Sequence, residues 1–90
     1  MAIVRFPNVM KFYVGNQAEF SVDASSVGEL VERIVERYPI VKSHLVDSDG
    51  NLRRYFNIFV NGSHIRDLDG MKTKLNAEDK VILMASAAGG

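Results

Sequence analysis

No cysteine occurs anywhere in the chain. Disulfides, thiolate metal sites and a cysteine nucleophile are therefore excluded, and the cytoplasm is the expected compartment. Net charge is absent too, because eleven basic residues cancel eleven acidic ones. Such a balance leaves no electrostatic footprint for nucleic acid or an anionic membrane, so neither is expected as a partner. No apolar run reaches the ~18 residues of a membrane span, and the opening Met1 to Pro7 is too short for the apolar core of a signal peptide. Catalytic signatures are missing as well. There is no glycine-rich phosphate loop, no G-x-S-x-G and no H-E-x-x-H, and His44 and His64 fall on expected loops twenty positions apart. Asp47, Asp49 and Asn51 imitate the first half of a calcium loop, but Ile58 stands where the twelfth-position glutamate belongs. The expectation is a chain with no catalytic residue, no metal and no bound cofactor.

What is present is one small domain. Ninety residues, 47% hydrophobic and 24% charged, suffice for a single modest core and leave no room for a second. Strands are expected at Ile3–Phe6, stopped by Pro7, and at Glu19–Val22, with Gly15-Asn16 supplying a turn and Val9–Val14 reading as an irregular loop. Ser26 and Glu29 have the spacing of a capping box. After them Val27, Leu30, Val31, Ile34, Val35 and Tyr38 recur at helical period, so a helix is expected over 26–38, ended by Pro39. Asp47 to Asn51 reads as a turn, Phe56–Val60 as a strand, and Asn61-Gly62 as a hairpin leading to Ser63–Ile65. Another turn, Asp67 to Gly70, precedes a last strand at Lys80–Met84. This order predicts an α+β fold, a sheet with the helix against one face.

Strand parity then sorts the side chains. Phe56, Ile58 and Val60 point to the helix, as do Val81 and Leu83. The open side receives Asn57, Phe59, Lys80, Ile82 and Met84. Phe59, Ile82 and Met84 are three large apolar groups where a purely structural sheet would carry polar ones, and together they form a candidate partner-binding face. The domain is expected to end at residue 84, leaving 85–90 as a flexible tail that finishes on Gly89-Gly90. Without a Cβ, Gly90 offers an unhindered carboxylate, and paired glycines thread a narrow channel easily.

The helix start Ser26-Val27-Gly28-Glu29-Leu30, the run Arg54 to Gly62, then Ile65 to Gly70, Thr73-x-Leu75, Glu78-Asp79-x-Val81 and the terminal Gly89-Gly90 together resemble the ubiquitin-like sulfur carriers of the β-grasp fold. The resemblance covers nearly the whole chain. It is nearest to the small subunit of molybdopterin synthase and to the carrier of a cysteine-forming pathway, although many relatives have proline where this chain has Met84-Ala85-Ser86. It implies a mixed sheet of about five strands with one main helix. It also implies that an E1-like adenylyltransferase uses ATP, bound by that partner, to activate Gly90, which then becomes a thiocarboxylate. The tail, Ala87, Ala88, Gly89 and Gly90, would enter the active site of the partner. Phe59, Ile82 and Met84 would anchor the docking face, with Arg53 and Arg54 as charged rim contacts. The sulfur acceptor implied is a molybdopterin synthase large subunit or an enzyme of cysteine synthase type. Two alternatives stand beside this: a ubiquitin-like modifier joined through Gly90 to lysines of target proteins, and a plain β-grasp interaction module.

Overall fold

The computed structural model describes residues 1–85. Five strands form one mixed sheet: β1 (Ala2–Arg5), β2 (Glu19–Val22), β3 (Phe56–Val60), β4 (Ser63–His64) and β5 (Lys80–Ala85), in spatial order β2-β1-β5-β3-β4. The strand latest in sequence therefore occupies the centre. β5 runs parallel to β1, with Val4 beside Val81, and antiparallel to β3, with Ile58 beside Leu83. β2 and β4 close the two sides as antiparallel partners of β1 and β3.

Helix α1 (Val27–Arg37) covers one face of the sheet. Ser26 Oγ accepts the Glu29 N–H at 3.1 Å, and Glu29 Oε1 reaches back to the Ser25 N–H at 3.0 Å, one residue earlier than in an ideal capping box. Val27, Leu30, Val31 and Ile34 are buried against Val4, Ile58, Val81 and Leu83 in one core, while Val35 and Tyr38 lie at its margin. The helix N-terminus is closed by a remote segment. Val27 N–H donates to the Thr73 carbonyl at 2.9 Å, and Leu75 N–H donates to the Ser25 carbonyl at 2.9 Å. A Cβ on Gly28 would stand 3.1 Å from the Met71 carbonyl oxygen, so the glycine lets the Gly70–Lys72 turn pack directly on the helix. Buried Thr73 is satisfied locally, its Oγ1 donating to the Gly70 carbonyl at 2.7 Å and accepting from the Asp69 N–H at 3.1 Å.

The hairpin expected at Asn61-Gly62 is present. Both residues have positive φ, 49° and 90°, as a type I′ turn requires. Four local expectations are corrected. Residues Asn8–Val14 form a 3-10 segment rather than an irregular loop, burying Met10 and Val14 and capped by Gly15 at φ 68°. Pro39 ends α1 but opens a 3-10 turn, Pro39–Val41, that runs into a short helix α2 (Lys42–Leu45), burying Val41 and Leu45. Proline is tolerated at a first helical position because its missing N–H would be unpaired there anyway. Ile65 begins a 3-10 turn instead of extending β4. β5 includes Ala85, which pairs with Phe56 and so lies inside the sheet rather than in the tail.

Candidate functional site

The face of the sheet away from α1 carries the groups singled out by strand parity. Register places Phe59 directly opposite Ile82, and Met84 opposite Asn57 on the next row. Phe59, Ile82 and Met84 therefore lie on adjoining strands and form one patch. Phe59 and Ile82 are half-buried by their neighbours, whereas Met84 is 53% exposed. The row through Ile82 crosses all five strands: Glu19, Arg5, Ile82, Phe59 and His64. A second row holds Ser21, Ile3 and Lys80.

Three members of the central row, Glu19, Arg5 and His64, lie beyond the candidate residues named from the sequence. His64 is on β4, not on a loop. Its ring meets Phe59 edge-on at 5.0 Å, its Nδ1 accepts the Arg66 N–H at 3.1 Å, and its Nε2 lies 3.0 Å from Asn57 Oδ1. With Nδ1 accepting, Nε2 is the protonated nitrogen and donates to Asn57. His64 thus holds the Phe59 ring from the side and closes the patch at the β4 edge. Arg5 stands on the other flank of Ile82, and its alternation with buried Val4 and Phe6 was the available signal. His44 falls on α2, its ring stacked on Tyr13 at 4.7 Å, away from these rows.

Arg53 and Arg54 part company. Arg53 is half-buried, its Nε donating to the Ser43 carbonyl at 2.7 Å and its N–H to the Leu45 carbonyl at 2.9 Å, so it is engaged with α2 rather than brought to the patch. Arg54 is exposed two residues before Phe56, the residue that pairs with Ala85, and stands at the end of the sheet where β5 leaves it. Ala87, Ala88, Gly89 and Gly90 lie outside the described residues.

The polar groups near the start of β5 serve the fold. Asp79 accepts the Asn76 N–H at Oδ2, 2.7 Å, and the Asn61 side-chain amide at Oδ1, 3.0 Å. These two bonds hold its carboxyl below the usual carboxylate range. Asn61 Oδ1 in turn accepts the Lys80 N–H at 2.9 Å, tying the hairpin to the first residue of β5. Among the described residues there is no cluster of three or more metal-ligating side chains, and no helix is long and apolar enough to cross a membrane. The arrangement is an apolar patch with polar and charged neighbours, at the root of the segment leading to the C-terminus.

Known proteins match this arrangement along almost its whole length. The ThiS family model covers residues 4–90. The chain is similar to the sulfur carrier protein CysO of Mycobacterium tuberculosis, 28% identical over 89 residues that make up 97% of this chain and 96% of that one. It is also similar to small archaeal modifier protein 3 of Haloferax volcanii, 31% identical over 68 residues, 76% of this chain and 73% of that one. Among solved structures, a chain of the BexX/CysO complex of Amycolatopsis orientalis superposes with a TM-score of 0.88 at 22% identity, all of both chains being covered. The fold is the β-grasp, or ubiquitin-like, fold.

Proposed function

The chain belongs to the ThiS family, and from that membership we propose that it is a sulfur carrier whose working group is the Gly90 carboxylate. An E1-like enzyme binds ATP and catalyses attack of that carboxylate on the α-phosphorus, releasing pyrophosphate and leaving an acyl-adenylate. Sulfide from a donor then attacks the acyl carbon, the acyl C–O bond to AMP breaks, and the products are AMP and a terminal thiocarboxylate. The carrier itself supplies no catalytic side chain; it supplies an unhindered acyl group and a rigid body by which to hold it. The acceptor is an enzyme of cysteine or molybdopterin biosynthesis.

The observation that carries this reading is the family match running through residue 90, so that the Gly-Gly end falls in register with the rest of the domain. The patch of Phe59, Ile82 and Met84, contiguous across β3 and β5 next to where β5 ends, supports it as the surface that seats on the activating enzyme. A second reading rests on the likeness to small archaeal modifier protein 3: the same activated Gly90 is joined to lysines of target proteins.

Intact-mass measurement tests the reading. Incubated with its E1-like enzyme, ATP and a sulfur source, the chain is expected to gain the mass of one oxygen-to-sulfur exchange, located in the terminal peptide. Deleting Gly90 is expected to abolish the gain without changing the thermal midpoint. An unchanged mass, while a known carrier is converted in parallel, would exclude sulfur carriage. Conjugates on lysines in place of the exchange would favour the modifier reading.

A further inference from the structure

The open face is charged as well as apolar, and its cations outnumber its anions. Among its strand residues Arg5 and Lys80 are cations and Glu19 is the single anion. Arg5 and Lys80 line one shallow depression with Ile3, Glu19, Val81 and Ile82, and the register sets Arg5 beside Ile82 and Lys80 beside Ile3. Neither cation is spent within the fold. The Arg5–Glu19 contact is long, 4.0 Å, between side chains that are 66% and 58% exposed, so it holds the guanidinium only weakly. Lys80 has no ion pair among the described residues, and the nearest carboxylate in sequence, Asp79, is already committed to Asn61 and Asn76. This depression is continuous with the apolar patch through Ile82, which borders both.

We propose that Arg5 and Lys80 form a charge-reading site that docks against carboxylate side chains on the activating enzyme and so selects that partner. Phe59, Ile82 and Met84 supply apolar contact that any hydrophobic surface could satisfy. Two cations flanking Ile82 add a requirement that only an acidic complement meets, and they repel a basic surface. Arginine suits this place because its planar fork takes a carboxylate in two parallel hydrogen bonds. The chain as a whole is neutral, so the steering comes from this local asymmetry and not from net charge.

The inference rests on the carrier reading and is tested by the partial reaction that precedes any sulfur chemistry. ATP–pyrophosphate exchange catalysed by the E1-like enzyme of the same organism is measured against carrier concentration for the native chain, for R5Q/K80Q and for K72Q. Lys72 is an exposed cation on the turn that packs against α1, so it controls for loss of charge alone. The double variant is expected to raise KM for the carrier about fivefold or more with kcat retained, while K72Q leaves both unchanged. Added salt should raise the KM of the native chain and have much less effect on that of R5Q/K80Q. An unchanged KM in the double variant, or an equal rise with K72Q, overturns the charge-reading site and leaves the carrier reading standing. Absence of exchange with the native chain overturns both. Equal thermal midpoints confirm that the variants are folded, as expected for exposed positions.

Discussion

Phe59 shares the open face of the sheet with Ile82 and Met84 and is only half-buried there, and that position decides what its loss would do. It lies opposite Ile82, is flanked by the His64 ring at 5.0 Å, and stays half-buried between the buried Ile58 and Val60. Phe59→Ala is expected to lower stability by less than about 1 kcal/mol and to weaken binding to the activating enzyme by about 1 kcal/mol or more. Titration calorimetry and thermal melts separate the two; a large stability loss with affinity intact would make Phe59 a core residue. Asp79 carries a different residue-scale expectation. Its carboxyl is lowered first by the Asn76 N–H and then by the Asn61 amide, so its folded-state pKa lies below the unfolded value of about 3.9. The stabilisation is present above that unfolded value and is lost as pH falls through the folded one. Asp79→Asn should therefore be less stable at neutral pH and lose less on acidification below about pH 4 than the native chain; parallel denaturation curves at pH 7 and 3 check this. Parallel loss in both proteins would show that Asp79 contributes nothing to the acid limb.

At the scale of elements, α1 is the one whose sequence and structure agree at nearly every position. Its cap, its apolar stripe and its stop are all local features, and each could be read without knowing the fold. Ile34 is fully buried, so Ile34→Ala is expected to cost about 2–4 kcal/mol, and Val31→Ala less because the smaller side chain leaves a smaller cavity. Unchanged midpoints for both variants would place the stripe elsewhere. The strands were legible by parity, and Asn61-Gly62 by turn chemistry, for the same local reasons. The 3-10 segment at Asn8–Val14 was not, because only two of its seven residues are buried and two points define no period. The helical turn and α2 after Pro39 have no local signal of their own, because the proline that ends α1 also opens the turn. Arg53 illustrates a further limit. Its sequence position beside Arg54 suggested a shared role, but the Ser43 carbonyl that captures it belongs to an element the pattern had not revealed. The site was half legible: parity assigned Phe59, Ile82 and Met84 to one face, yet their adjacency depends on β5 lying between β1 and β3, a pairing set by the tertiary crossover and not by any local signal.

For the whole molecule, the central place of β5 means that its pairing with β1 and β3 is complete at Ala85. A chain ending at Ala85 is expected to keep the full thermal midpoint while losing all activation, whereas one ending at Val81 should not fold; circular dichroism melts of the two truncations test it. The same pairing also gives the protein a mechanical character. β1 begins at Ala2 and β5 ends at Ala85, and the two run side by side in the same direction. A pull on the two ends in opposite directions therefore slides one strand along the other. The hydrogen bonds between them are loaded together in shear instead of being unzipped one at a time, and rupture is governed by a single concerted barrier. An enzyme that grips the segment beyond Ala85 and draws it inward would thus transmit tension into the stiffest direction of the sheet, where the domain yields least.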